Sequence, residues 1–579
     1  MARSNDLVAQ MLDEFADLLA ISAGDPFKVR AYEKAARAVE GYHVEVERLD
    51  EHELDAIPSV GSHIARKIAE FLRTGTVDEL DGLRSRVPAG LRTLLAVPGL
   101  GPKRARQAYD ELGVTSLSEL LDALHDQRLR HLRGWGAKSE ENLAKAIHEA
   151  QTGGGRIPLG VALGLAEDLL EDLSSVDHVS KAAYAGSLRR MRDTIGDVDL
   201  LVASDHPEPV MQAFTELPLV GRVVAQGPTK SSVVTTKGVQ VDLRVINPSV
   251  WGAALMYFTG SKAHNIRLRY LAERAGLKLS EYGLFEAGTG RLLVSQTEED
   301  VYGRLGLPWV PPTIREDTGE IEAAVAGQLP QLVELRDIRG DLHTHTNLTD
   351  GVAALPEMVA AAKRHGYRYY AITDHAPLLY MQRMTADKAL EQRRQIRQLE
   401  RQTGMVLLHG SELNIQPDGT LDWDDDFLAG FDIAVASVHS AFRQSRQAMT
   451  ARLVRAVENP FVNVLGHPTG RTIGHRRAID ADWDAVFRAA ACAGAALEIN
   501  SFPDRLDLSD ELVRRARHAG VKFAISTDAH AVPHLDYMRF GVATAQRGWV
   551  GPAEVINTWP LDKLRRFLAK RRPARRRTG

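Results

Sequence analysis

The first 150 residues place apolar side chains at the spacing of amphipathic helices, and one pattern occurs three times. Each copy has an apolar residue, a tight turn that ends in glycine, and a run with apolar positions three and four residues apart. The copies are IPSVGSHIARKIAEF at 57–71, VPGLGPKRARQAY at 97–109 and LRGWGAKSEENLAKAI at 132–147. This repetition predicts a helical N-terminal region built from related units.

The turn glycines of the three copies are Gly61, Gly101 and Gly136. Glycine allows another molecule to approach the backbone closely, and the unpaired N–H groups at the start of the following helix favour an anion. The repeat resembles the helix-hairpin-helix, a motif that binds the DNA backbone without regard to sequence. The resemblance implies that these glycines contact DNA, and ordinary helical turns are the alternative.

The pattern changes after the glycine-rich segment QTGGGRIP at 151–158. Short apolar, β-rich runs follow, among them VDLLVA, VVTT and VQVDLRVI, and Lys237-Gly238 is a candidate hairpin turn. A second boundary is predicted near 326–340, after the proline-rich LPWVPP. From there to about residue 550, strand-like runs alternate with helical segments, which indicates an α/β barrel or sheet with its site at the strand C-terminal ends.

Composition limits the class of protein. A chain of 579 residues is too long for one core and suggests three or four domains, and 44% hydrophobic with 26% charged residues is typical of a globular protein. We find no secretory leader pattern and no apolar run of membrane-helix length, so a cytoplasmic location is expected. A net charge of −4 argues against binding nucleic acid by bulk charge alone. The single cysteine, Cys492, excludes an internal disulfide and is predicted to lie in a helix core.

Two aspartates, Asp197 and Asp199, stand one residue apart where GSLRRMRDTIGDVDLLV (186–202) enters an apolar run. In a strand they share one face, where two carboxylates repel each other unless a cation lies between them. Asp242, in VQVDLRV, can join them from an adjacent strand. Three carboxylates could hold two Mg²⁺ or Mn²⁺ ions that activate a 3′-hydroxyl and orient a triphosphate. Solvated aspartates at a strand junction are the alternative.

Ser187 and Arg190 in the same segment could contact phosphate oxygens. Further along the chain comes YFTGSKAHNIRLR at 257–269. Together, the Gly-Ser run with its two arginines, the Asp-Val-Asp motif, the later aspartate and YFTGS resemble a family X DNA polymerase of the polymerase beta type. The resemblance extends from residue 1 to about 325.

This resemblance implies a nucleotidyltransferase with Asp197, Asp199 and Asp242 as catalytic metal ligands. It implies that Arg269 faces the DNA template. The residues that it places around the incoming nucleotide are Ser187, Arg190, Gly196, Tyr257, Phe258, Gly260 and Asn265.

The resemblance also reaches Lys67 in HIARKIAEF, which falls on the family's Schiff-base lysine, and Tyr32, which falls on a nearby tyrosine. An amine there could attack the opened sugar of an abasic site and expel the 5′ phosphate by β-elimination. The chain is therefore a candidate 5′-deoxyribose phosphate lyase. His63 stands where the vertebrate enzyme has a lysine, and a simple phosphate contact is the alternative role for Lys67.

The C-terminal region begins with DLHTHTNLTDG and carries nine candidate metal ligands at predicted strand ends. Mixed nitrogen and oxygen donors in this number indicate two or three Mn²⁺, Zn²⁺ or Fe²⁺ ions. The set resembles a PHP (polymerase and histidinol phosphatase) domain over 338 to about 560, which implies phosphoester hydrolysis. Arg471 is either a phosphate contact or a solvated surface residue. The nine ligands are His343, His345, Asp350, His375, Glu412, His439, His467, Asp528 and His530.

The order of the two modules, with LGLPWVPPTIREDTGEIEAA at 305–324 near their junction, resembles the bacterial family X polymerases. The resemblance implies a repair polymerase that fills gaps in DNA with dNTPs. A monomer is expected, because the sequence has no heptad pattern and no evident interface stripe. The resemblance also implies a Mn²⁺-dependent 3′ to 5′ exonuclease, with cleavage of abasic sites and removal of 3′ phosphates as further activities. A small-molecule phosphatase and a noncatalytic DNA-binding scaffold are the alternatives, and the scaffold predicts incomplete metal sets.

The expected fold is multidomain, with helical N-terminal helix-hairpin-helix domains, an α+β nucleotidyltransferase palm and thumb, and a C-terminal α/β PHP barrel of a distorted (β/α)7 type. The basic tail would bind phosphates or stay disordered. The expected boundaries are a lyase-like domain at 1–80, fingers with helix-hairpin-helix motifs at 81–152, palm at 153–256, thumb at 257–326, linker at 327–340, PHP domain at 341–560 and tail at 561–579.

Overall fold

A computed structural model describes residues 4–22, 25–40, 46–57, 59–87, 91, 94, 97, 100–152, 156–379 and 384–569. Helices make up the N-terminal region, mixed sheets follow, and a parallel barrel occupies the C-terminal part. Among the helices described, none combines the length and the apolar character that a membrane crossing requires.

The predicted helical units of the N-terminal region are confirmed. Gly61 and Gly101 directly precede helices α4 and α6, and Gly136 precedes α8. Ile64, Ala65 and Ile68 of α4 face one shared apolar core, as expected for side chains three and four positions apart. The helices are α1 Ser4–Ile21, α2 Pro26–Glu40, α3 Glu51–Asp55, α4 Ser62–Thr74, α5 Asp78–Arg86, α6 Pro102–Leu112, α7 Leu117–His125 and α8 Ala137–Thr152.

The palm contains a five-stranded sheet in the order β2-β4-β7-β6-β5, beside a short pair formed by β1 and β3. Strands β6 and β7 are antiparallel neighbours, and Gly238 between them has a φ of 78°, so the predicted hairpin turn is confirmed. The strands are β1 Ile157–Pro158, β2 Lys181–Tyr184, β3 Thr194–Ile195, β4 Val198–Ala203, β5 Val220–Gln226, β6 Lys230–Thr235 and β7 Gln240–Ile246, and the helices are α9 Leu159–Ser174, α10 Gly186–Arg189 and α11 Pro207–Glu216.

The thumb combines four helices with a small antiparallel sheet in the order β10-β9-β8. Helix α12 runs through the palm–thumb boundary expected at 256/257, because Ala253, Ala254 and Met256 form one continuous buried turn. The elements are α12 Trp251–Thr259, α13 Lys262–Arg274, β8 Leu277–Ser280, β9 Gly283–Glu286, β10 Leu292–Val294, α14 Glu298–Arg304 and α15 Glu320–Val325.

The C-terminal barrel has seven parallel strands paired in chain order. Beyond the strand ends, a parallel bridge joins Thr344 to Ala529, and His345 N donates to Ala529 O at 2.8 Å. This bridge links the last strand back to the first, so the predicted (β/α)7-type barrel is confirmed. The strands are β11 Gly340–Asp341, β12 Tyr369–Ile372, β13 Val406–Asn414, β14 Ile433–Ser437, β15 Val464–Leu465, β16 Ala496–Asn500 and β17 Lys522–Ser526.

Helices cover the barrel, and two expectations for this region need correction. Cys492 lies on a helix but is exposed, because the buried face of that helix carries Val486, Phe487 and Ala490 instead. The expected basic tail at 561–579 begins with a helix whose Leu564 and Phe567 pack against the barrel, while 570–579 lie outside the described residues. The helices are α16 Leu355–Arg364, α17 Ala386–Thr403, α18 Asp425–Leu428, α19 Arg446–Glu458, α20 Trp483–Ala493, α21 Asp510–His518, α22 Met538–Arg547 and α23 Leu561–Ala569.

The barrel packs directly on the palm. Leu506 and Phe540 of the barrel belong to the same buried apolar cluster as the palm residues of α9 and β4. At the rim of this contact, Arg539 Nη1 lies 2.7 Å from Glu167 Oε1. Because an apolar cluster is continuous across the contact, the two parts are held together by more than surface charge.

Candidate active sites

Three carboxylates gather at one end of the palm sheet. Asp199 on β4 and Asp242 on β7 are register partners on neighbouring parallel strands, and Asp197 directly precedes β4. Side chains at register partners point to the same face of a sheet. The structure thus brings the Asp197, Asp199 and Asp242 backbones together as the sequence predicts.

The electrostatics of these carboxylates favour a cation. Burial, with the charges of Asp197 and Asp242 added, raises the pKa of Asp199 to about 7. Burial would also raise the pKa of Asp242, but hydrogen bonds from Gln240, Lys230 and Ser232 hold it below its usual value. Lys230 Nζ lies 3.0 Å from Asp242 Oδ2. A positive charge therefore already neutralises one member of the group, and the sequence interpretation did not include this lysine.

The turn before β4 fits tightly over Asp199. Gly186 has a φ of 56°, and a Cβ built there would overlap the Asp199 carboxylate. Ala185 N donates to Asp199 O at 2.8 Å. This contact fixes the short helix α10, which carries Ser187, next to the carboxylates, and Gly196 is the neighbour of Asp197 on the other side.

Arg190, the other predicted phosphate contact, is held by protein groups. Its Nε lies 3.1 Å from Glu316 Oε1 and its Nη1 donates to Thr259 O at 2.6 Å. Arg547 of the barrel reaches the same Glu316 oxygen at 3.0 Å. Neither Glu316 nor Arg547 was singled out from the sequence, because no motif marks a contact between domains.

The segment expected to face the sugar and base is ordered by internal contacts. Tyr257 and Phe258 meet edge to face at 5.2 Å, and the Arg244 guanidinium lies 4.6 Å over the Phe258 ring. Asn265 Nδ2 donates to Tyr257 O at 2.7 Å, while Asn265 Oδ1 is buried without a hydrogen-bond partner.

Gly260 and Arg269 complete this predicted set. Gly260 has a φ of 66°, and a Cβ there would lie 3.3 Å from Arg190 Nη1, so the segment is next to the predicted phosphate contact. Arg269 is exposed on α13, where its side chain is free to meet a large ligand such as DNA.

The three turn glycines have open space where a side chain would be. A Cβ at Gly61, Gly101 or Gly136 would meet no atom within 4 Å. The φ values of Gly61 and Gly101 are −87° and −68°, which any residue can adopt. Because neither packing nor backbone conformation requires glycine here, close approach of a ligand is a sufficient reason for it.

Lys67 is less accessible than a nucleophile would need to be. Its side chain is 6% exposed, and its Nζ lies 2.6 Å from Glu79 Oε2 and 2.9 Å from His63 Nε2. Tyr32 is buried and stacks on Phe15 at 4.6 Å. The amine is therefore paired, and the ion pair with Glu79 must open before it can react.

All nine histidine and acidic residues predicted for the barrel converge at the C-terminal ends of its strands. Glu412 is at the centre: His375 Nδ1, His439 Nε2 and His467 Nε2 lie 2.9, 3.1 and 2.9 Å from its oxygens. Three overlapping groups could each hold a metal ion. The groups are His345, Asp350, His375 and His530; His343, His345 and Asp528; and His375, Glu412 and His439.

The charges of the cluster show what a cation would satisfy. Burial opposes ionisation of Glu412, yet His439, His375 and His343 hold its pKa well below the usual value. Burial lowers the pKa of His530, but the nearby Asp350 carboxylate raises it more, so the pKa rises to about 9. The Nδ1 atoms of His345 and His467 are buried without a hydrogen-bond partner. Unpaired imidazole nitrogens among carboxylates fit a site for divalent metal ions.

Two supporting residues were missed in the sequence. Glu498 on β16 accepts from His343 Nδ1 at 2.7 Å and from His467 N at 2.6 Å, and Asn414 Oδ1 lies 2.7 Å from His439 Nδ1. Such contacts orient histidine ligands. The signal for Glu498 was a lone acidic residue in the apolar run AALEIN.

Arg471 is not a solvated surface residue, which was one of its two expected roles, because its side chain is only 16% exposed. Its Nε donates to Arg505 O at 2.8 Å, and its Nη1 lies 3.2 Å from Asp193 Oδ2 in the palm. Its guanidinium therefore ties the barrel to the palm.

Family models match most regions of the chain. A helix-hairpin-helix domain matches residues 3–77 and a SAM-like helix-hairpin-helix tandem matches 91–149. The DNA polymerase beta thumb matches 254–316, and the PHP domain matches 341–502. The last two metal-ligand candidates, Asp528 and His530, lie beyond the PHP match but complete the same cluster.

Several curated proteins are similar to the chain. The DNA polymerase/3′-5′ exonuclease PolX of Bacillus subtilis (strain 168) is 38% identical over 567 residues, 97% of this chain and 99% of that protein. DNA polymerase lambda of Rattus norvegicus is 28% identical over 325 residues, 51% of this chain and 53% of that protein. A probable phosphatase of Thermoanaerobacter sp. (strain X514) is 31% identical over 247 residues, 40% of this chain and 95% of that protein.

The first of these similarities covers nearly the full length of both chains, and it includes the palm, the thumb and the barrel in one order. The chain therefore belongs to the bacterial family X DNA polymerases that carry a C-terminal PHP domain.

Proposed function

We propose that this protein is a DNA-directed DNA polymerase that fills short gaps during repair and trims 3′ ends with a metal-dependent 3′–5′ exonuclease in its PHP barrel. One observation carries the proposal. The chain is similar over its length to a protein named for both activities, and it has both the three palm carboxylates and the nine candidate metal ligands of the barrel. Polymerase lambda, similar to about half of this chain, supports the gap-filling part.

In the palm, Asp197, Asp199 and Asp242 would hold two Mg²⁺ or Mn²⁺ ions, which when bound supply Lewis acidity to the reacting phosphate and lower the pKa of the attacking hydroxyl. Ser187, Arg190 and Gly196 would contact the triphosphate. Four residues of the YFTGS region would contact the sugar and base, namely Tyr257, Phe258, Gly260 and Asn265. This role requires Arg190 to turn from Glu316 toward the nucleotide.

In the barrel, the nine converging residues would hold two or three ions, with Mn²⁺, Zn²⁺ and Fe²⁺ all compatible with mixed imidazole and carboxylate donors. The product would be a shortened 3′ end, and the same site could cleave at abasic sites. Gly61, Gly101, Gly136 and Arg269 would hold the DNA. We place the protein as a monomer in the bacterial cytoplasm.

We also propose that Lys67 supplies the amine of a 5′-deoxyribose phosphate lyase step. Its Nζ would add to the sugar aldehyde and lose water to form a Schiff base, and β-elimination would then release the 5′ phosphate. Substrate binding would have to open the ion pair with Glu79 to free the amine. A phosphate contact is the competing role.

The alternatives make different predictions. The barrel alone would favour a small-molecule phosphatase, and a probable phosphatase is similar to 40% of the chain. It would leave the palm carboxylates without a use. A noncatalytic scaffold would tolerate loss of either donor set.

The test follows a labelled primer on gapped DNA with Mn²⁺, with and without dNTPs. We compare the native protein with D197A/D199A and with H343A/H345A. The proposal expects the first variant to lose only extension and the second to lose only shortening. Asp177→Asn, an exposed aspartate, and His365→Ala, a histidine outside the cluster, serve as matched controls. Shortening that persists in H343A/H345A would remove the nuclease from the barrel.

A further inference from the structure

Glu316 of the thumb lies between two arginines from different domains. Its Oε1 is 3.1 Å from Arg190 Nε in the palm and 3.0 Å from Arg547 Nη1 in the barrel. Arg192 Nη1 lies farther away, at 3.9 Å, and its side chain is 42% exposed, so it is the weaker partner. All three members of the Arg190–Glu316–Arg547 triad are mostly buried, with side chains 13%, 19% and 5% exposed.

The orientation of Arg547 is fixed from the barrel side. Its Nε and Nη2 donate to Asp510 Oδ2 at 2.9 and 2.6 Å, which leaves Nη1 directed at the polymerase. Nη1 also donates to Arg190 O at 2.8 Å and to Thr313 O at 3.3 Å. A planar guanidinium held at one edge presents its other edge in a defined direction. Arg547 therefore touches the palm, the thumb and the barrel at once.

Nucleotide binding would disturb this triad. If Arg190 turns to a triphosphate, Glu316 loses one of its two close cations. A mostly buried carboxylate left without a partner is strongly unfavourable. Arg547 remains in place because Asp510 anchors it, so Glu316 stays neutralised while Arg190 is free to leave.

We propose that Arg547 is a positioning residue for the polymerase, through which the PHP barrel sets the affinity for the incoming dNTP. It acts through Glu316, by keeping that carboxylate paired when Arg190 moves to the triphosphate. The inference rests on the role proposed above for Arg190. It assigns to the barrel a part in polymerisation that is separate from its metal cluster.

The experiment measures single-nucleotide gap filling across a range of dNTP concentrations with the full-length protein. The variants are R547Q, E316Q, the double variant and R539Q. Arg539 is the matched control: it lies on the same helix α22 and pairs with Glu167 of the palm, but it does not contact the triad. Primer shortening without dNTPs is measured on each preparation to report a folded barrel.

We expect R547Q to raise the KM for dNTP roughly fivefold or more, the size of a typical coupling between sites. Its kcat at saturating dNTP and its shortening rate should stay near the native values. R539Q should leave the KM unchanged. In the E316Q background, R547Q should have no further effect on the KM, because the carboxylate charge through which it acts is absent.

Three results would overturn the inference that Arg547 acts on dNTP binding through Glu316. The first is an unchanged KM for dNTP in R547Q while primer shortening stays intact. The second is a raised KM together with a lower kcat and slower shortening in R547Q, which would mark a purely structural role. The third is an equal effect of R547Q on the KM with and without the Glu316 carboxylate. The variant R190Q distinguishes failure of the Arg547 inference from failure of the proposed function. If R190Q leaves the KM unchanged, or if the native protein adds no nucleotide, the assignment of Arg190 or of polymerase activity is wrong, and the inference falls with it.

Discussion

Gly186 packs directly on Asp199, so that a methyl group at position 186 would overlap the Asp199 carboxylate. Gly186→Ala should push this carboxylate out of the metal-binding position and slow extension roughly 100-fold, the cost of about 1 Å misplacement. The measurement is the extension rate on gapped DNA. Gly238→Ala is the control, since it has a similar positive φ of 78° and open space around it. Normal extension by Gly186→Ala would mean that Asp199 does not act from this position.

Glu498 should act on the barrel metals without binding them. Glu498→Gln weakens the hold on His343 and His467, so Mn²⁺ affinity should fall about 10- to 100-fold. Isothermal titration with Mn²⁺ and the Mn²⁺ dependence of shortening both check this. Exposed Glu458→Gln is the control. Unchanged Mn²⁺ affinity would show that the histidines are oriented by other contacts.

The turn glycines should matter for DNA and little for folding. Gly61→Ala and Gly101→Ala meet no neighbouring atom and need no unusual backbone angle, so the melting temperature should change little. The affinity for gapped DNA should fall, because a methyl group keeps the phosphate away from the helix N-terminus. Gly82→Ala, which also has open space but lies within α5, is the control. If Gly61→Ala and Gly101→Ala bind DNA as tightly as the control Gly82→Ala, the glycines belong to ordinary helical turns that do not contact DNA.

The paired state of Lys67 makes a distinct prediction for the lyase step. Trapping of the Schiff base with borohydride on an incised abasic site should disappear in Lys67→Ala. It should increase in Glu79→Gln, because this change removes the ion pair that holds the Lys67 amine in place. Exposed Lys138→Ala is the control. Trapping that persists in Lys67→Ala would leave Lys67 as a phosphate contact.

His409 should make the protein less stable in acid. Burial, aided by the charge of Arg393, lowers the pKa of His409 from 6.5 to about 3. The His409 side chain therefore binds a proton more readily in the unfolded chain than in the folded protein. Its contribution to the free energy of unfolding is fully present above pH 6.5. That contribution is lost as the pH falls toward 3, by about 1.4 kcal/mol per pH unit. His409→Gln should flatten the dependence of the urea midpoint on pH between 6.5 and 5. Half-exposed His365→Gln should not, and equal slopes for both variants would contradict the prediction.

Site residues could be predicted from the sequence where the pattern lies within a single strand or at its end. The two-residue period of a strand was enough to pair Asp197 with Asp199, and apolar strand runs marked the nine residues that converge in the barrel. Cys492 was misplaced because an alanine-rich helix gives no contrast between its faces. The Arg190–Glu316–Arg547 triad was beyond reach, since its members come together only when separate domains pack.

The bridge from Thr344 to Ala529 also joins two parts of the chain that are synthesised far apart in time. His345 follows the first strand of the barrel and Asp528 follows the last, and their Nε2 and Oδ1 atoms are 3.2 Å apart. A ribosome makes the palm and thumb first and the last two ligands near the end of the chain. A product that ends before Asp528 therefore lacks two of the nine candidate ligands. If this cluster cuts DNA as proposed, cutting is confined to molecules that already carry the parts needed to rebuild what they remove.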